Sequence, residues 1–181
     1  MIIKLSTLAV VLGLGFALLQ IYALMKPKEF AAAARKFPRS LPMGWLLMLI
    51  GTLGFFYYLN LESISDFEPY KPYMFAAFGA VALGTCIFIS DFLAVRGLAI
   101  VLMLLAKLMV DTARWHESNW RLVIISWAYL MVVAGIWFTV SPWRCRDFLN
   151  WGTATEQRIK LGSGLCLAFA VLVVILGLKV F

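Results

Sequence analysis

The sequence is poor in the residues that most often bind metals or haem. It has one histidine, His116, and three cysteines among 181 residues. A single histidine excludes bis-histidine haem ligation within the chain and any His-rich metal site. The cysteines form no CxxC pair and lack the spacing of metal ligands, so neither a disulfide framework nor a cysteine-bound metal is expected. We therefore expect no metal and no cofactor.

Catalytic motifs are missing as well. The sequence contains no Gly-rich phosphate loop, no GxSxG and no HExxH. No pair of carboxylates falls inside an apolar segment, so a glycosidase-like acid and base have no candidates. These absences predict a protein that is not an enzyme. A weaker alternative is an enzyme that acts on lipid at a membrane face through Arg144, Arg146 and Arg158.

Charged residues are scarce and apolar residues abundant. Charged residues make up 14 % of the chain and hydrophobic residues 64 %, whereas soluble domains have about 25 % and about 45–50 %. A soluble fold of this size could not bury so many apolar side chains, so the surplus must face lipid. The net charge of +7 predicts contacts with anionic headgroups. Nucleic acid is not expected as a partner, because no basic stretch lies in a soluble domain.

The apolar residues are gathered into segments of membrane-crossing length. A transmembrane helix needs about 20 predominantly apolar residues, and the predicted spans are residues 5–25, 43–61, 73–90, 92–110, 121–140 and 161–181. The fold class is therefore all-α, a polytopic transmembrane helical bundle in which residues 1–181 form one membrane domain. The first span is predicted to be a retained helix, since a signal peptide has an apolar core of about 7–15 residues. A cleaved signal peptide is the alternative.

The six spans form three consecutive hairpins in the sequence. In the first and third, a proline opens a basic connector, KPKEF in one and SPWRCRDFLNW in the other. The first connector has apolar residues at helical spacing beside basic ones, which predicts a helix on the membrane surface that begins at Pro27. The similarity indicates either an internal repeat or the common need of helical hairpins for such a connector. No clean GxxxG motif is present, so dimerisation through that motif is not expected.

The basic residues predict the orientation. The connectors after the first, third and fifth spans carry ten Lys and Arg residues, and the opposite side carries six. The positive-inside rule then places these connectors of the multi-pass protein in the cytoplasm and both termini outside. Eight cations of the two longer connectors are candidate contacts for anionic lipid: Lys28, Arg35, Lys36, Arg39, Arg144, Arg146, Arg158 and Lys160.

The fourth span carries charges that a bilayer would resist. Steps of three and four residues put Arg96, Ile100, Met103, Lys107, Asp111 and Arg114 on one helical stripe. Arg96 and Lys107 are about 16 Å apart along such a helix, so each can snorkel to an opposite interface. The stripe is either a set of anchoring charges at both helix ends or a polar site that faces neighbouring helices.

The stretch at residues 132–178 shows a family resemblance. An apolar helix is followed by Ser141, Pro142 and Arg144, then by a basic connector with Arg146 and Arg158, and Gly162 opens a second apolar helix. This pattern resembles the small two-helix YjeT-like (DUF2065) inner-membrane proteins. That family has no established activity, so the resemblance implies only a bacterial inner-membrane setting.

Two functional hypotheses follow. Short loops, many aromatic and small residues and the missing catalytic residues favour a non-enzymatic accessory, scaffold or assembly component of a larger membrane complex. Its expected partners are other membrane protein subunits and membrane lipids. The alternative is a small transporter or ion-conducting protein that uses Arg96, Lys107 and Asp111 on the fourth span.

Overall fold

A computed structural model of the protein describes residues 4–62 and 68–181, and in this part of the chain all regular structure is helical. The eight α-helices are α1 (Leu5–Met25), α2 (Pro27–Lys36), α3 (Leu41–Leu61), α4 (Lys71–Phe88), α5 (Leu93–Ala113), α6 (Arg121–Val140), α7 (Pro142–Gly152) and α8 (Glu156–Lys179). Six of them, all except α2 and α7, are long and apolar enough to cross a membrane. The predicted all-α bundle with six spans is confirmed.

The helix boundaries follow from capping residues. At the start of α3 the Ser40 hydroxyl accepts a hydrogen bond from Met43 N at 3.4 Å, and Pro42 occupies the first turn where its missing N–H costs nothing. At the start of α8 the Thr155 hydroxyl accepts from Arg158 N at 3.3 Å. The sixth span therefore begins at Glu156, five residues before the predicted residue 161, because this cap allows a polar first turn.

Both proline-opened connectors are short helices. The predicted surface helix is α2, which begins at Pro27, has no fully buried residue and continues into a 3-10 turn at Phe37–Arg39. Its counterpart α7 begins at Pro142. The order of span, proline-opened helix and span thus occurs twice in the chain, at α1–α3 and at α6–α8.

The central helix of the bundle is α5, and the spans do not pair in chain order. Of the six spans α5 is the most buried, with 39 % of its core window inside the bundle. It packs between α3 and α6, while α1 packs along α8. The members of the three sequence hairpins are therefore not the main packing partners. A connector such as α2, about 15 Å long at 1.5 Å per residue, separates its flanking spans by more than the 8–10 Å between packed helices.

Glycines allow the backbones at these interfaces to approach closely. A Cβ built on Gly13 of α1 would lie 2.6 Å from Val174 Cγ2 of α8, and one on Gly177 would lie 2.9 Å from Val10 Cγ2 of α1. The Ser6 hydroxyl donates a 2.7 Å hydrogen bond to the Gly177 carbonyl. Small residues are the usual means of helix association in membranes, where lipid is as apolar as the side chains. The first and last spans are joined in this way.

Glycines also allow α3 and α5 to pack closely. A Cβ on Gly97 of α5 would lie 2.7 Å from Leu47 Cβ, and one on Gly51 of α3 would lie 2.8 Å from Ile100 Cγ2. In contrast, α4 packs chiefly on α3 and stands away from α5, its neighbour in sequence. The turn between α4 and α5 contains Phe92 in the left-handed conformation at φ 56°. A space between α4 and α5 is left beside α3.

Candidate functional site

The charged stripe predicted on α5 lies at two opposite ends of that helix. At the C-terminal end, Lys107 Nζ lies 3.1 Å from Asp111 Oδ2 and 3.5 Å from Glu62 Oε1, the acid that follows α3. The same ammonium lies 5.2 Å from the centroid of the Tyr58 ring. The predicted Lys107–Asp111 pair is present, and Glu62 joins it. Both side chains of the pair are about half exposed, so it contributes at most about 1 kcal/mol to stability.

Arg114 belongs to the same end but makes separate contacts. Its guanidinium carbon lies 5.3 Å from the centroid of the neighbouring Trp115 ring. Its backbone carbonyl accepts a 3.2 Å hydrogen bond from Arg121 Nη1. Nearby, the Nδ1 atom of His116 accepts from Ser118 N at 3.2 Å, and its ring packs edge-on against Phe181. These contacts fix the loop between α5 and α6.

Arg96 lies at the other end of α5, one turn after the helix begins. Its Nε atom is buried, and in the described part of the chain it is the one buried side-chain polar atom without a hydrogen-bond partner. The adjacent stripe residues Ile100 and Met103 are apolar and line the same groove. The six-residue stripe therefore carries a cation at the groove and an ion cluster at the far end.

The groove beside Arg96 has a volume of about 500 Å³ and is open on one side. Its floor is α3, its two walls are α4 and α5, and Thr139 of α6 closes one corner. Apart from Arg96 and three threonines, the described residues that line it are apolar. Two of the threonine hydroxyls donate to their own helices, Thr85 to the Val81 carbonyl and Thr139 to the Gly135 carbonyl, each at 2.8 Å. The Arg96 guanidinium is thus the strongest donor along the groove.

The eight basic connector residues lie together at the end of the bundle where α5 begins. They are Lys28, Arg35 and Lys36 on α2, Arg39 beside it, Arg144 and Arg146 on α7, and Arg158 and Lys160 in the first turns of α8. They come together because α2 contacts both α7 and α8. This end carries ten basic and four acidic residues, whereas the described residues of the opposite end include six basic and four acidic ones. Most of the excess positive charge in the described part of the chain is therefore on one side.

Several of these cations bind protein groups. The Arg35 guanidinium donates to Thr153 Oγ1 at 3.1 Å and to the Thr153 carbonyl at 2.6 Å. Lys28 Nζ lies 3.5 Å from Glu156 Oε1. Arg35 therefore joins α2 to the segment between α7 and α8, in addition to any contact with lipid.

Two arginines of this end contact aromatic rings. Arg146 pairs with Asp147 at 2.9 Å and lies 5.9 Å from the Phe92 ring centroid. Arg158 lies 5.4 Å from the Trp151 ring centroid. Arg158 Nη1 also donates to the Trp151 carbonyl at 3.4 Å, so protein groups occupy part of each guanidinium.

A small-residue face of α4 has no counterpart in the sequence-based predictions. Ala76, Ala80 and Gly84 follow one another at four-residue steps; both alanines are exposed, and a Cβ on Gly84 would meet no atom within 4 Å. The recurrence at i, i+4 and i+8 is the sequence signal that could have revealed it. The groove could not be found in this way, because it depends on how α4 is placed relative to α5.

Over residues 4–62 and 68–181, no three His, Cys, Asp or Glu side chains lie together as a metal site would require. The three cysteines are free thiols.

Comparison with known proteins gives no match to a protein-family model, to a curated protein or to a solved structure. The resemblance of residues 132–178 to the YjeT-like proteins stays a prediction.

Proposed function

We propose that this integral membrane protein is a non-enzymatic accessory or scaffold subunit of a larger membrane complex, and that α4 carries its docking face. The observation that carries the proposal is the exposure of α4. Only 6 % of its core window is buried, against 17–39 % for the other five spans. A span that contributes so little to its own bundle has most of its surface available to a partner.

The outer side of α4 has the character of a helix-packing surface. Ala76, Ala80 and Gly84 form a small-xxx-small-xxx-small stripe. Small residues let two membrane helices approach closely and gain van der Waals contact, which is the main attraction between helices in lipid. In this protein small residues already allow α1 to pack closely on α8, and α3 on α5. The exposed stripe on α4 is therefore suited to packing against a helix of another membrane protein.

The weak attachment of α4 also supports the proposal. Its packing on α3 relies on aromatic contacts, with ring centroids of Phe78 and Phe55 4.7 Å apart and those of Phe75 and Phe56 5.1 Å apart. Such pairs contribute about 0.5–1.5 kcal/mol each beyond their burial. A partner helix on the opposite side of α4 would fix its position in the bundle.

The non-enzymatic part of the proposal rests on the sequence, which has a single histidine and no catalytic motif. The transporter alternative is less favoured. Arg96 and Lys107 lie at opposite ends of α5, and between them Ile100 and Met103 contribute apolar side chains. These residues interrupt the series of polar groups that ions would need.

The proposed setting is the inner membrane of a bacterium, with α2 and α7 on the cytoplasmic side and both termini outside. The distribution of charge supports this orientation, because ten of the sixteen basic residues lie at the α2–α7 end. In this orientation the exposed cations of that end, Lys36, Arg39, Arg144 and Lys160 among them, face the anionic headgroups of the cytoplasmic leaflet.

Affinity purification after mild detergent extraction tests the proposal. The wild-type chain is expected to retain another membrane protein, and Ala80→Leu, which places a bulky side chain in the stripe, is expected to lose it. The matched control is Ala168→Leu, the same change at an exposed position of α8, which should retain the partner. A chain that always purifies alone, or only with copies of itself, contradicts the proposal, as does equal retention by the two variants.

A further inference from the structure

The groove beside α3 combines an apolar channel with one half-buried cationic side chain, that of Arg96. The lining residues of α5 extend from Arg96 to Leu104, a rise of about 12 Å along the helix. On α4 they extend from Thr85 to Phe78, about 10 Å in the same direction of the bundle. The volume of about 500 Å³ lies within the roughly 300–1,000 Å³ of small-molecule sites.

Arg96 is the group that gives this groove a preferred ligand. The guanidinium is charged at any physiological pH, and its Nε–H is buried among protein atoms without an acceptor. An unpaired N–H of a cation in apolar surroundings is unfavourable. The hydroxyls of Thr85 and Thr139, which also line the groove, already donate to helix carbonyls, and among residues 4–62 and 68–181 no carboxylate lines it. Arg96 also lines the groove, so an oxyanion from outside the chain would pair with the terminal N–H groups of its guanidinium.

The position of Arg96 along α5 indicates which oxyanion would bind there. It lies three residues into α5, about 4.5 Å below the helix start, at the end of the bundle where the basic connectors lie. The first turn of a membrane-spanning helix lies near the headgroup layer, and long cationic side chains reach lipid phosphates there by snorkelling. From that level the groove continues between Met103, Leu104, Phe55 and Phe78 toward the middle of the bilayer, where an acyl chain lies.

We propose that the groove between α4 and α5 binds one anionic phospholipid, with its phosphate at Arg96 and an acyl chain along α3. Charge complementarity identifies the headgroup and the apolar lining identifies the chain. The groove is separate from the docking face proposed for α4. At about 100° per residue, Phe78, Val81 and Thr85 lie on the side of α4 opposite to Ala76, Ala80 and Gly84, so this inference does not depend on a partner protein.

Native mass spectrometry of the delipidated, purified protein tests the inference with three probes: phosphatidylglycerol, diacylglycerol with the same acyl chains, and inorganic phosphate. One phosphatidylglycerol per chain is expected to bind at least tenfold more tightly than either other probe, since a charge-assisted hydrogen bond is among the stronger ones. Binding of phosphate alone as tightly as the lipid would overturn the proposal in favour of a free-anion site. Equal binding of diacylglycerol would overturn the role of Arg96.

Two pairs of variants locate the lipid. Arg96→Gln removes the cation, and its control Lys26→Gln removes a charge at the same end of the bundle, outside the groove. Val81→Phe fills the groove, and its control Val133→Phe makes the same change on α6. The two valines are 65 % and 60 % exposed, so both variants are expected to fold. Arg96→Gln and Val81→Phe should each weaken lipid binding about tenfold or more, and the controls should not.

The two pairs of variants also distinguish lipid binding in the groove from a general attraction of the lipid to positive charge. Equal weakening by Lys26→Gln and Arg96→Gln would show that overall positive charge holds the lipid, and would overturn the inference. Unchanged binding in Val81→Phe would do the same, because it would place the acyl chain elsewhere. Gel filtration and circular dichroism establish that each variant is folded, and the two substitutions act independently, so loss of one variant to misfolding leaves the other as a test.

Discussion

Packing of the first span on the last should depend on a glycine at position 13. A Cβ added there would lie 2.6 Å from Val174 Cγ2, and 3.2 Å from both the Ala170 carbonyl oxygen and Val174 N. The last two are backbone atoms, so α1 and α8 must separate slightly to admit a methyl group. Overpacking of this kind costs typically about 1–3 kcal/mol.

Gly15 provides a matched control two residues away. A Cβ at this position would meet no atom within 4 Å, so Gly15→Ala adds no clash. Both substitutions gain about 0.5–1 kcal/mol from the helix preference of alanine, and this gain cancels in the comparison. Gly13→Ala should therefore be about 1–3 kcal/mol less stable than Gly15→Ala.

The assay for this difference is reversible unfolding in mixed micelles, followed by circular dichroism as the fraction of denaturing detergent is raised. The free energies of unfolding of the two variants are compared under one set of conditions. Equal stabilities, or a more stable Gly13→Ala, would refute the close approach of α1 and α8.

Three further predictions concern the connectors and the orientation. Arg35→Ala should lower the free energy of unfolding by about 1–3 kcal/mol, because it removes both hydrogen bonds to Thr153, whereas Lys36→Ala should stay within about 0.5 kcal/mol in the same unfolding assay. Burial raises the pKa of the Cys145 thiol from 9.0 to about 11, so maleimide should label Cys145 about 100-fold more slowly at pH 8 in the native protein than in the unfolded chain. The free energy of unfolding should fall as pH rises from about 9, because the Cys145 thiol ionises first in the unfolded chain. In a cysteine-free chain, cysteines introduced at Lys36 and Trp115, both exposed, should be labelled from the cytoplasm and from outside, respectively; the reverse pattern would mean that the orientation is inverted.

Sequence alone predicts the spans well because membrane insertion is a local property. Each run of about 20 apolar residues must form a helix to satisfy its backbone in lipid, wherever the other spans lie. The surface helix at Pro27 is equally local, since it follows from one proline and a short amphipathic repeat. The exact helix ends depend on capping residues, as the early start of α8 after Thr155 illustrates.

The pairing of the spans could not be predicted in the same way. In lipid, apolar side chains gain little by choosing one helix over another, so pairing depends on which small residues meet. The approach of Gly177 to Val10 joins residues 167 positions apart in sequence. Neither residue identifies the other, and chain order suggested hairpins instead.

In the candidate site, too, contacts within one helix could be predicted and contacts between helices could not. The three- and four-residue steps on α5 correctly placed Lys107 next to Asp111, since the contact lies within one helix. Glu62, which joins them, lies just after another helix, α3, and was missed. Arg96 was singled out by its charge, but the groove that it faces exists only because α4 stands away from α5.

The docking face on α4 is tested most directly by photocrosslinking in intact membranes. Benzoylphenylalanine placed at Leu83, beside the small-residue stripe, is compared with the same group at Val133 of α6; both native residues are 60 % exposed. The proposed function predicts one discrete protein adduct from position 83 and none from position 133. The same adducts from both positions, an adduct with the mass of a second copy, or no protein adduct from position 83 would contradict it.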